Sequence, residues 1–311
     1  VSAGRLVSDP GTDGISLREA LMSVNTGESV GILDTIDFNA TIFPTASPAT
    51  ITPVLALPSI SDAAGTAIIA LNRPVTVPAV LPAGVIVDGT SAGVGVDGLT
   101  LTTGSNRLLG FGIRNFSGLG VSIPAGAGTG NEISGMVIHA NGSGGISLTS
   151  NSAKILQNTI QANTAAGVSI GTGVTGLDMR NNLITNNTTG GVNAAGTVGT
   201  IDYNGYFNNG VGGNVHCSGE CTVGANSIKA DPRYTNAATF DFSLLASSAA
   251  INRGVDLTTN QPDMNGATAE NFNVGVPDMG ARESTFATPA VATSALSELI
   301  PITVYYNSTG I

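Results

Sequence analysis

Acid–base chemistry in this chain must come from two histidines and a small set of charged residues, 11 Lys plus Arg against 21 Asp plus Glu. Their spacing narrows the choice. Arg114, His139, Gln161 and Thr185 follow one another at intervals of 25, 22 and 24 residues, and Lys154 precedes Asp178 by 24, with Arg180 two residues further on. An Arg or Lys base beside a carboxylate can remove a proton next to an anionic group, and clustered carboxylates would hold calcium. Arg114, His139, Lys154 and Asp178 are therefore the candidate catalytic set. Residues spaced this way meet only if the chain returns to the same place about once in every such interval.

The apolar residues say that it does. Leu108, Ile133, Ile155, Met179 and Ile201 stand 25, 22, 24 and 22 apart. Five positions later in each interval come Ile113, Ile138, Ile160, Ile184 and Tyr206, and eight further on Val121, Ile146, Val168 and Val192. Three short strands and three bends fill a coil of this length, and successive coils stack equal positions into ladders about 4.8 Å apart. The expectation is an all-β, right-handed parallel β-helix, a three-sided solenoid. Asparagines keep the same register: Asn158, Asn182 and Asn204 in one column, and Asn141, Asn163, Asn187 and Asn209 in another. Asn tolerates the left-handed conformation of a bend, so these residues are expected to turn corners and to bond along the ladder. Gly144-Gly145 and Gly190-Gly191 fit the same role.

Placed on coils, the polar residues form two outward faces. One carries Arg114, His139, Gln161 and Thr185, and a neighbouring one carries Lys154 over Asp178. No two carboxylates share a column in this reading, so neither a two-acid hydrolase nor a calcium cluster is expected. The bland reading is preferred: a solvated face holding the few charges available, with no catalytic residue, no metal and no cofactor. Cys217 and Cys221 are four apart and suit a disulfide, with a buried or free thiol pair as the alternative. His216 is the only further soft ligand beside them, too few for zinc.

A solenoid needs caps. Ser16-Leu17-Arg18-Glu19-Ala20-Leu21 predicts an N-terminal capping helix, with Ser16 and Glu19 in a capping box and Leu17 and Leu21 facing the first coil. Asp13-Gly14-Ile15-Ser16-Leu17-Arg18-Glu19-Ala20 resembles the CSLREA motif that opens many surface β-helix proteins. Ile36-Asp37-Phe38, Thr50-Ile51-Thr52, Leu57-Pro58-Ser59-Ile60 and Val85-Ile86-Val87-Asp88-Gly89 follow in agreement. Ile15 stands where that family usually has Cys. Asp231-Pro232, Phe240-Asp241-Phe242-Ser243-Leu244, Ala250-Ile251-Asn252-Arg253-Gly254 and Asp278-Met279-Gly280-Ala281-Arg282-Glu283 are similar to the choice-of-anchor ending, with Arg282 in place of the usual Tyr. The resemblance implies a pectin-lyase-like β-helix at a cell surface. It implies no particular chemistry, although many such folds cut acidic polysaccharides.

Composition sets the outer limits. A net charge of -10 gives no basic footprint for nucleic acid. No apolar run is long enough for a spanning helix. Absence of Trp weighs against a passive carbohydrate-binding module built on aromatic platforms. Residues 284–298 are rich in Ser, Thr, Ala and Pro and read as a linker, and residues 299–311 read as a docking strand. In it Leu299, Ile300, Ile302, Val304, Tyr305 and Tyr306 are the expected assembly residues. The β-helix with its caps is expected over residues 1–283. The function expected is that of an extracellular or cell-surface structural protein, after removal of a signal peptide. Its task would be adhesion or self-assembly into a filament, and its partners copies of itself, another surface protein or glycans. The alternative is a polysaccharide-active lyase or hydrolase.

Overall fold

The computed structural model describes residues 16–26, 31–39, 41–44, 47–70, 84–196, 198–213, 215–257, 276–284 and 286. The expected linker, save residues 284 and 286, and the docking strand 299–311 lie outside them.

The chain forms three parallel sheets of seven, eight and six strands, each ladder joining strands one coil apart in sequence. It is a parallel β-helix. Its inward columns are those the spacing requires. Leu108 pairs with Ile133, Ile155, Met179 and Ile201 in turn along the first sheet. Ile113, Ile138, Ile160, Ile184 and Tyr206 stack in the second. Val121, Ile146, Val168 and Val192 stack in the third, and that column begins at Leu99 and runs on to Cys217. All except Ile201 and Cys217 are fully buried. The first column also reaches back through Ile68 to Ile36.

The asparagines are buried, and their place in the corner differs from the expectation. The left-handed residue is the one before each of them: Ala140, Ala162, Asn186 and Asn208 in one corner, with φ of 51–56°. In the other corner Gln157, Asn181 and Tyr203 precede the ladder, with φ of 53–60°. Such a backbone costs on the order of 1–2 kcal/mol for a residue with a Cβ. The turn points the next side chain inward, where its amide closes the backbone groups that the bend has left open. Asn163 accepts from the backbone N–H of Asn141 at 3.0 Å and from its Nδ2 at 3.1 Å. It donates to Asn187 Oδ1 at 2.9 Å and to the Ile138 carbonyl at 3.2 Å. Asn158, Asn182 and Asn204 repeat the arrangement. Asn106 and Asn131 form a third, shorter run that the repeat did not reveal. Glycines make room beside the ladder. A Cβ on Gly167 would lie 2.8 Å from each of Asn187 Nδ2, the Gly191 carbonyl and Ile184 Cγ2.

The N-terminal end carries helix α1, Leu17–Val24. Ser16 Oγ accepts from the Glu19 N–H, and Glu19 accepts from the Ser16 N–H at 2.8 Å, which forms the capping box. Leu17, Leu21 and Val24 join the solenoid core. At the other end the Tyr206 ring fills the last coil beside His216, with centroids 5.8 Å apart. Cys217 and Cys221 are bonded there, their Cα atoms 5.7 Å apart. The chain then turns back along the outside. Tyr234–Asn236 and Asp241–Leu244 form an antiparallel hairpin, and Phe240 and Phe242 pack on Ala67, Ile69, Leu109 and Val137.

The ladder leads to a direct test. Asn163→Ala would strand two donors and a carbonyl in the core, and should lower unfolding free energy by about 3 kcal/mol or more. Asn193→Ala, an exposed position on the third sheet, should stay within about 0.5 kcal/mol. Urea unfolding followed by circular dichroism measures both.

Candidate functional site

The second sheet presents the outward column Asp88, Arg114, His139, Gln161 and Thr185. Asp88 begins it and was not assigned to it from the repeat. Its carboxylate receives Arg114 Nε at 2.7 Å and Asn115 Nδ2 at 3.1 Å. Burial works to raise its pKa, and the bonds from Thr90, Arg114 and Asn115 outweigh that, so the carboxyl sits below its ordinary value.

This face is largely covered: Asp88, Gln161 and Thr185 are buried and Arg114 and His139 half-buried. The C-terminal hairpin roofs it. The Arg114 guanidinium lies over the Phe240 ring, 5.0 Å from its centroid. His139 meets Phe240 and Phe242 edge-to-face at 5.9 and 5.4 Å. Thr185 Oγ1 lies 3.3 Å from the Tyr234 hydroxyl. The expectation of a solvated polar face is corrected here, because aromatic residues about 100 positions away in sequence cover it. His139 Nδ1 is buried with no hydrogen-bond partner. Burial lowers the His139 pKa, the neighbouring Arg114 adds to the shift, and Gln161 opposes it in part.

The first sheet presents a different column: Arg107, Glu132, Lys154, Asp178 and Thr200. Two carboxylates therefore do share a column, contrary to the expectation. Glu132 stands 22 residues before Lys154, inside the readable repeat, and a face begun at Lys154 leaves it out. Lys154 lies between them, and two ladder steps of about 4.8 Å keep the carboxylates apart. Each is engaged elsewhere. Glu132 pairs with Arg107 at 3.0 Å. Asp178 is held by Arg180 through two bonds of 2.6 Å. Lys154 has no ion pair within 4 Å among the described residues. Arg114 and His139 thus belong to one sheet and Lys154 and Asp178 to the next, and the four do not converge. Among the described residues no group of three His, Cys, Asp or Glu side chains could hold a metal.

One concavity lies away from both columns. Tyr203, Asn226 and Ser227 on the last coil face Asn252, Arg253 and Gly254 on the returning chain across a cleft of about 410 Å³. The repeat gave no sign of it, because its second wall comes from outside the repeat.

His139 makes the roof sensitive to acid. The imidazole pKa is lower in the folded than in the unfolded chain, so the unfolded chain binds the extra proton. Its contribution is complete above the ordinary histidine pKa of about 6.5 and is lost as pH falls below that value. His216, also lowered, by burial and by Lys229, acts in the same direction. Stability measured by urea unfolding should therefore fall between pH 7.5 and 5. His139→Phe should flatten this slope, leaving the smaller part due to His216.

No family model matches the chain, and no curated protein matches it. Among solved structures it is similar to the crystal structure of pectate lyase Pel9A, at 12% identity over 81% of this chain and 77% of that one, with a TM-score of 0.26. That likeness carries no weight for activity, and none of the comparisons shows the CSLREA or choice-of-anchor family. The parallel β-helix itself stands on the ladder pairings described above.

Proposed function

We propose that this chain is an extracellular, non-catalytic β-helix that acts as a rigid structural unit and self-assembles through residues 299–306. The observation that carries the non-catalytic reading is the roof over the second sheet. Phe240 and Phe242 occupy the space that a substrate would need above Arg114 and His139. On the neighbouring sheet both carboxylates are neutralised by arginines of the same chain. A small disulfide loop at Cys217–Cys221 suits an oxidising compartment.

The assembly reading rests on the sequence of Leu299-Ile300-Pro301-Ile302-Thr303-Val304-Tyr305-Tyr306, which is apolar and β-prone and follows a Ser, Thr, Ala and Pro-rich stretch. Strand addition to an edge of a second copy would bury these side chains and satisfy their backbone. Pro301 lacks an N–H and would interrupt the ladder there. A head-to-tail contact that does not close on itself makes a filament. Lys154 favours a second reading. It is a cation without an ion pair among the described residues, on a column with two carboxylates, and is the natural base of a polysaccharide-cleaving site.

Two experiments separate these readings. Removing residues 285–311 should abolish concentration-dependent assembly in sedimentation while leaving the β-helix circular dichroism unchanged. A full chain that stays monomeric at high concentration contradicts the assembly proposal. In assays on pectate, alginate and neutral glycans, product release should not exceed background. Turnover that disappears in Lys154→Ala would replace the structural reading with the enzymatic one.

A further inference from the structure

We infer that the cleft between the last coil and the returning chain is a binding site for the carboxylate-bearing unit of an acidic saccharide. The inference rests on the cleft alone and does not depend on the assembly proposal.

Hydrogen bonds hold both walls in place without any ligand. On one side Asp202 ties the loop to the coil. Its carboxylate accepts from the Tyr203 N–H at 2.8 Å, the Asn226 N–H at 2.9 Å and Asn226 Nδ2 at 2.7 Å. These bonds leave Asn226 Oδ1 as an acceptor. Ser227 Oγ is fixed by the Asn204 N–H at 3.1 Å. Tyr203 packs on the apolar cluster of Leu183, Ile251 and Met279, which holds its ring in place. On the other side Asn252 takes a left-handed turn, φ 52°, and its N–H donates to the fully buried Asp278 at 2.6 Å. Gly254 and Val255 are tied to Pro277 and Asn181 by bonds of 2.8 and 2.9 Å. Walls fixed in this way lose little entropy when a ligand binds.

Against this frame one group is uncommitted. Arg253 is exposed, and its guanidinium has neither ion pair nor hydrogen bond among the described residues. Arg107, Arg114, Arg180 and Arg282, by contrast, each face a carboxylate of the same chain. A planar guanidinium binds a carboxylate through two parallel bonds. Tyr203 lines the same cleft and its phenol ring offers a face for the C–H side of a pyranose, while Asn226 Oδ1 and Ser227 Oγ offer acceptors for ring hydroxyls. A carboxylate joined to a hydroxylated ring uses all of these together. The volume suits roughly one or two sugar units. Lack of Trp weighs against a long aromatic platform, but a single terminal unit needs only one ring.

The test uses the full chain labelled with nitrogen-15 and D-glucuronate as probe. The concentration is one at which sedimentation shows single chains and the amides of Asn226, Asn252, Arg253 and Gly254 are visible. Saturable shifts are expected at the amides of Asn226, Asn252, Arg253 and Gly254, with affinity on the order of millimolar for so small a ligand. Arg253→Gln, an exposed substitution that leaves both walls intact, should weaken binding roughly tenfold. Lys229→Gln, exposed and outside the cleft, should leave it unchanged. D-glucose and acetate should each bind at least about tenfold more weakly than glucuronate, since each offers half of the recognised chemistry. The inference is overturned by no shifts at these amides up to about 50 mM, far above the expected range, or by undiminished affinity in Arg253→Gln. Acetate binding as well as glucuronate, or a Glu-rich peptide binding more tightly, would also overturn it.

Discussion

The buried asparagine ladder is the interaction on which the solenoid depends. A corner that turns sharply enough to close a coil leaves backbone donors and carbonyls facing the core, where no water can reach them. An unmade bond of that kind costs on the order of 1–3 kcal/mol. Each ladder amide answers the need of its neighbour: Asn163 serves the N–H of Asn141 and the carbonyl of Ile138, and Asn187 serves Asn163 and Ile160 in the same way. The bonds exist only if consecutive coils stay in register. They therefore also set the left-handed residue before each Asn and the glycines across from them, Gly145 and Gly167 among them, whose missing side chains let the amides sit inside.

With the corners fixed, each strand alternates between an inward apolar residue and an outward one. The inward columns make a continuous core from α1 to Cys221. The outward columns are where such a scaffold gains its individuality, and this chain spends them largely on itself. One pairs charges between coils: Arg107 with Glu132, and Asp178 with Arg180 beside it. Outward apolar residues of both sheets, Ala67, Ile69 and Leu109 on the first and Ile86 and Val137 on the second, need covering, and the hairpin carrying Phe240 and Phe242 covers them. Among the described residues packing and electrostatics leave three cations with neither an ion pair nor a side-chain hydrogen bond, Lys154, Lys229 and Arg253, and the proposals of catalysis and binding turn on the first and the last.

Legibility varied along the chain for a physical reason. Between Leu108 and Ile201 the coils are nearly equal in length, so a column repeats at a visible interval. Upstream, Ile36, Ile68 and Leu108 occupy the same column with gaps of 32 and 40 residues. Loops of unequal length at the corners cost the fold little, but they erase the period. The asparagine columns were plain as a pattern, while their role was half read. Composition points to the column Asn as the residue that bends, whereas the bend falls on the residue before it, and the column amide repairs it. That residue is Ala140, Ala162, Gln157 or Tyr203 in four corners and another Asn, Asn181, Asn186 or Asn208, in three.

By itself, then, the sequence determined the architecture: three inward columns, their register, the capping helix at Ser16–Leu21 and the lack of a spanning helix. These follow from short-range stereochemistry repeated at one interval, so every coil restates the same information. Only the tertiary structure decided which outward groups remain available. Whether His139 meets solvent depends on Phe240 and Phe242, and whether Arg253 borders a cleft depends on the path of the chain after Leu244. Those contacts join segments some 50 to 100 residues apart, each made once. They are specified by shape and apolar area where the returning chain meets the coils, and nothing in the spacing of residues repeats to announce them.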